Sequence, residues 1–155
     1  MVEGIPYTVL FTALGIGGNV LMHGYLGYPM HANIGWMFLT TILYVLAYQA
    51  LGVLIIGITP VLRDGVTLAA FYGLLGFTFA GFTFPIEQMP YPAQIFSFLF
   101  PIRYYFKIYV NQALNGLDIG YSIGFMLSLV AFLVLPLFVF VRIKKAAIYQ
   151  NFPIK

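Results

Sequence analysis

Residues 82–109 read FTFPIEQMPYPAQIFSFLFPIRYYFKIY. The stretch is almost wholly apolar or aromatic. It nevertheless holds four prolines, Pro85, Pro90, Pro92 and Pro101, and three charges, Glu87, Arg103 and Lys107. Proline lacks an amide hydrogen and restricts the residue before it, so one continuous helix through this run is excluded. Pro92 suits the first turn of a new helix, where the missing donor costs nothing. Residues 93–100 then form one short helix, Pro101 interrupts it, and residues 102–114 form a second. A piece this short cannot cross a hydrocarbon layer that takes about 20 helical residues. Lipid does not tolerate exposed irregular backbone, so the break must be covered by protein or lie near water. The expectation is a re-entrant or interfacial helical hairpin over about 85–114. Arg103 and Lys107 are four apart and share a face with Tyr104, Tyr105 and Tyr109 nearby, the composition of a membrane interface with snorkelling cations. Glu87 reads either as an interfacial carboxylate that caps or pairs locally, or as a residue of gating or passage.

The rest of the chain sets the hairpin in a membrane. Of 155 residues, 62% are hydrophobic and 7% charged, and the mean hydropathy is +0.97. A water-soluble surface needs about 25% charged residues. The absence of cysteine excludes disulfides and thiolate sites. Met1 to Pro6 contains Glu3 and no Lys or Arg, so it lacks the basic start of a secretory leader. Four uncharged segments are long enough to be spans, at about 5–22, 33–58, 66–84 and 119–141. Gly15, Gly17 and Gly18 in the first would permit close helix contact or a kink. Ala69 with Gly73, Gly76 with Ala80, and Gly120 with Gly124 are pairs four apart, each on one helical face suited to close packing. Polar breaks at 23–32, 59–65 and 115–118 separate the spans. Trp36, Tyr25 and Tyr28 suit the interface, and Gln49 would bond across a helix contact. Pro136 would kink the last span near its end.

The fold class expected is therefore an all-α polytopic membrane protein: four transmembrane helices plus a re-entrant or interfacial hairpin between the last two. An even number of spans puts both termini on one side. Arg63, Arg142, Lys144, Lys145 and Lys155 fall on that side, Arg103 and Lys107 on the other. The positive-inside bias then makes both termini, with the tail 142–155, cytoplasmic, and the hairpin external.

Enzyme chemistry is poorly represented. There is no glycine loop with its lysine for nucleotide phosphates. His23 and His31 flank a Pro–Gly loop without further ligands, so no metal site is expected. No serine, histidine and acid form a credible trio on one membrane side. The spans lack the ionisable residues of a proton-coupled carrier and the polar lining of an ion pore. Smooth, glycine-containing helices suit a passive pathway driven by an energy source elsewhere.

Residues 80–106, AGFTFPIEQMPYPAQIFSFLFPIRYYF, resemble the pattern SGFxFPxExMPxxxQxxSxxxPxxYF of ABC-2 type transporter permeases. Phe84, Pro85, Glu87, Met89, Pro90, Gln94, Ser97, Pro101, Tyr104 and Tyr105 fall at the matching places. NQALNG, at 111–116, is similar to the family's RGIxLKG before the last span. The resemblance implies that the chain corresponds to the last four of six spans, with the hairpin on the outer side. It implies export driven by a separate nucleotide-binding ATPase subunit, with no cofactor bound directly and with ATP and magnesium handled by that partner. It implies a second permease half, either another copy or missing spans on another chain, within a lipid bilayer and without nucleic acid. Arg63 and Asp64 would lie in the cytoplasmic loop near the ATPase, with Met1 to Pro6 a remnant of the coupling region. The alternative expectation is a truncated or remnant permease acting as a non-transporting membrane scaffold.

Overall fold

The computed structural model describes residues 4–29, 31–59, 62–81 and 84–149, the side chains of residues 4, 62 and 138–149 excepted. Residues 1–3, Pro60, Lys155 and the rest of the tail beyond 149 lie outside the described residues, as do the side chains of Arg142, Lys144 and Lys145.

The described residues are helical, without a strand. Helix α1 covers Gly4–Val20 and continues as a wider π-turn over Leu21–Tyr25. Helix α2 covers Ile34–Ile58. It starts where Asn33 turns its side chain back to accept the Gly35 amide at 3.0 Å, satisfying one of the free donors of the first turn. Helix α3 covers Leu62–Phe79, α4 Tyr91–Ser97, α5 Pro101–Tyr109 with a π-turn over Val110–Leu114, and α6 Gly120–Tyr149.

Among the described residues, three helical stretches are long and apolar enough to cross a membrane: Ile5–Tyr25, Ile34–Ile58 and Gly120–Leu137. The third expected span, 66–84, is corrected to α3. It starts four residues earlier, because Arg63 and Asp64 are taken into its first turn, where an acid suits the helix N-terminus. It also stops earlier, at Phe79, with a turn at Ala80 and a bend at Gly81, whose φ is +88°. All 18 residues of α3 extend about 27 Å at 1.5 Å per residue, close to a core about 30 Å thick, with Arg63 and Asp64 at its polar end. The expected turn at 59–65 is shortened accordingly. Helix α6 runs unbroken through Pro136.

Helix α2 is the centre of the molecule. It packs most extensively against α6 and also touches α1, α3 and α5. Ala47, Ile108, Met126 and Leu129 form the buried core, with Trp36, Leu43, Tyr104, Phe125 and Phe132 around it. Thr40 and Thr41, both buried, donate to the carbonyls of Trp36 and Met37 at 2.8 Å, so their hydroxyls need no partner outside the helix. Helix α1 is peripheral and has no buried residue over 5–20. Only one of its three central glycines makes a close approach. A methyl at Gly15 would stand 2.7 Å from the Thr41 methyl, whereas Gly17 and Gly18 face open space. Gly15→Val should therefore push α1 off α2. We expect a loss of about 1–3 kcal/mol, read as easier proteolysis of α1 with little change around Trp36.

Candidate functional site: the hairpin between α3 and α6

Each proline of the hairpin lies at a boundary. Pro85 precedes a single 3₁₀ turn at Ile86–Gln88, and Pro90 precedes α4 in extended backbone. Pro92 lies in the first turn of α4, and Pro101 opens α5. The two short helices meet at a tip over 98–100. Phe100 is buried at the tip, against Phe96 at 5.4 Å, Tyr72 at 4.8 Å and Phe79 at 6.1 Å between ring centroids. Gly76 makes room for it: a methyl there would lie 3.2 Å from the Phe100 ring and 3.1 Å from the Tyr48 hydroxyl.

The tip does not stop at the end of the bundle. Tyr105 stacks on Tyr44 at 4.5 Å, near the middle of α2, and Tyr104 lies 6.0 Å from Phe132, well inside α6. A helix break at that depth leaves carbonyls without helical donors, and lipid offers no replacement. Three side chains supply donors. The Arg103 guanidinium donates to the Gln94 carbonyl at 2.7 Å and to the Ser97 hydroxyl. The Tyr72 hydroxyl donates to the Leu99 carbonyl, and that of Tyr104 to the Phe98 carbonyl at 3.1 Å. Ser97 in turn donates to the Gln94 carbonyl at 2.6 Å, and the Gln94 amide donates to the Met89 carbonyl at 2.9 Å.

Arg103 corrects the expectation of a snorkelling pair. It is 7% exposed, turned back under the end of α4, and its guanidinium carbon lies 4.0 Å from the centre of the Phe98 ring. Burial pulls its pKa below the usual value, opposed by Tyr104 and Glu87. Lys107, one turn on, is half-buried, and its ammonium reaches Glu87 at 3.7 Å. The two cations share a helix face but end in different places, because the carbonyls of α4 are within reach of only the first. Glu87 is itself largely exposed and, with Pro85, Phe106, Lys107, Asn111 and Phe125, lines a cleft of about 420 Å³. Phe84 is exposed and Met89 half-buried.

The small-residue pairs divide. Gly76 and Ala80 are buried against the hairpin side of α3. Gly73 and Gly124 meet nothing within 4 Å, and Gly120 meets only Asp118. Arg63 and Asp64 are exposed at the start of α3, the end opposite the hairpin. The loop after α1 lies at the hairpin end, since the His31 amide donates to the Ala113 carbonyl at 3.3 Å and His23 contacts the Tyr109 hydroxyl at 2.9 Å. Among the described residues, no group of acids and histidines could hold a metal ion.

Tyr44, Tyr48 and Tyr72 were not singled out from sequence. The spacing of Tyr44 and Tyr48, four apart on one face of an apolar helix, was the available signal. The partner of each hydroxyl or ring, however, comes from elements far along the chain.

No curated protein and no solved structure matches the chain. The family model for the ABC-2 type transporter matches residues 3–114, a segment that takes in α1 to α5 and the whole hairpin. An integral, all-helical chain with this match is a transport component rather than a catalytic enzyme. The chain belongs to the ABC-2 type transporter family, as membrane-embedded permease sequence of an ATP-binding cassette transporter.

Proposed function

We propose that the chain forms part of the translocation pathway of an ATP-driven exporter, with ATP and magnesium bound by a separate subunit. The observation that carries this reading is the hairpin, whose tip, anchored by the buried Phe100, is capped by side chains within a segment matched by the family. Both termini are cytoplasmic in this reading, and the hairpin faces outward from the cytoplasmic membrane. The five-to-two distribution of cations supports that orientation. Arg63 and Asp64 then lie at the end available to the ATPase. A second permease half, either another copy or a chain with further spans, completes the pathway.

Native cysteine is absent, so single cysteines report cleanly. In intact cells, Gln88→Cys should react with a membrane-impermeant maleimide, and Arg63→Cys only after permeabilisation. Labelling of both from outside would overturn the orientation. Purified in mild detergent, the full chain should retain a nucleotide-binding subunit, and the pair reconstituted in sealed vesicles should support ATP-dependent transport. Stable insertion without any such subunit would favour a non-transporting scaffold.

A further inference from the structure

A second cleft, of about 500 Å³, opens between α1, α2 and α5. That volume lies within the range of small-molecule sites. Its walls include Phe11, Thr41, Tyr44, Tyr48, Gln49 and Tyr105, and no lining residue is charged. Tyr44, Tyr48 and Gln49 occupy the middle of the 34–58 span, and Phe11 belongs to the 5–25 span. The polar groups are therefore at mid-depth, where Gln49 accepts from the Thr8 hydroxyl at 2.8 Å and Thr41 donates to the Met37 carbonyl at 2.8 Å. The rings form an ordered wall, with Tyr105 stacked on Tyr44 at 4.5 Å and Tyr48 edge-on to Tyr44 at 5.0 Å. The Tyr105 hydroxyl is held only loosely, at 3.4 Å from both Asn19 and Thr41. It can exchange those contacts for a better partner at little cost.

We propose that this cleft binds a planar, uncharged ring compound carrying a carbonyl or hydroxyl group. The ring lies against the tyrosine wall, and its oxygen bonds to the Tyr105 hydroxyl. Aromatic faces favour offset or edge contact with another flat ring. A charged ligand would meet no counter-charge at this depth. The assignment rests on the exporter reading, since it names the class of substrate that the pathway would admit.

Benzophenone, a neutral two-ring ketone that inserts into nearby C–H bonds on irradiation, is the probe. The full chain in lipid nanodiscs should be labelled at cleft positions of α1, α2 and α5 about fivefold more than at the exposed, lipid-facing Leu74 and Leu127. Neutral 4-hydroxybenzophenone should compete, and the anionic benzophenone-4-carboxylate should not. Tyr105→Phe, which keeps the stack and loses the hydroxyl, should reduce cleft labelling while leaving Trp36 emission and its melting unchanged. Labelling that simply follows lipid exposure, or equal competition by the anion, would overturn the site. Its failure with a retained ATPase subunit and active efflux would remove the site alone. Intact, competable labelling without efflux would remove the exporter reading instead.

Discussion

Arg103→Ala should open the hairpin tip while leaving the α2–α6 core folded. The substitution removes the donor to the Gln94 carbonyl and the Ser97 hydroxyl, and the cation over Phe98. Hydrogen bonds to a charged group contribute about 1.5–3 kcal/mol in folded proteins. Some of that is returned, because a buried guanidinium no longer has to be desolvated. A net loss of about 2 kcal/mol corresponds to roughly 30-fold in the local opening equilibrium. Hydrogen exchange read at the Phe98, Leu99, Phe100 and Arg103 amides, each bonded to the carbonyl three residues back around the tip, is the direct measurement. Protection there should fall about that far, with the middle of α2 unaffected. Arg103→Lys should recover part of it, since one donor and the charge return without the planar fork. Unchanged exchange at the tip in the alanine variant would show that Arg103 is not the cap.

Gly81→Ala should destabilise the same region from the other end, and by more. Gly81 has φ +88°, a conformation that costs an L-residue about 1–2 kcal/mol. An added methyl would also stand 2.7 Å from Cγ1 and 2.9 Å from Cδ1 of the buried Ile86. Ile86 must yield by changing rotamer within its buried site or by shifting the 3₁₀ turn that carries Glu87. We expect a total of about 2–4 kcal/mol, with a melting temperature lower by about 5–10 °C in detergent. Gly81→Ala combined with Ile86→Ala should recover the steric part and keep the conformational part. If Gly81→Ala lowers the melting temperature as much in an Ile86→Ala background as in the native one, the contact with Ile86 is not the cause.

These two positions differ in how far sequence reaches. A break before Pro85 follows from the prolines, though sequence carried the span to residue 84, whereas the earlier turn and the need for glycine at 81 depend on where Ile86 is packed. Arg103 is the sharper case. Its neighbours are tyrosines and its spacing from Lys107 suits an interface, so sequence places both cations at the membrane surface. The folded chain buries the first, because α4 ends with free carbonyls beside it. Gly73 and Gly76 show the same limit: three residues apart, both within the small-residue pattern of α3, yet only Gly76 receives a neighbour, Phe100 from the hairpin tip.

The amino-acid sequence alone determined the membrane class, the helix starts at Pro92 and Pro101 and the family pattern of residues 80–106, whereas α4 ends at Ser97 and not at the expected residue 100. All three depend on composition and on near neighbours along the chain, where proline's missing donor and the low charge act locally. Tertiary structure alone decided which groups meet at the tip. Tyr72 reaches Leu99 across 27 residues, and Tyr44 stacks on Tyr105 from another helix. Tertiary structure also shifted α3 four to five residues towards the amino terminus, where the chain turns before the hairpin. Such contacts depend on how helices are placed in three dimensions, and a linear pattern of apolar residues leaves that placement open.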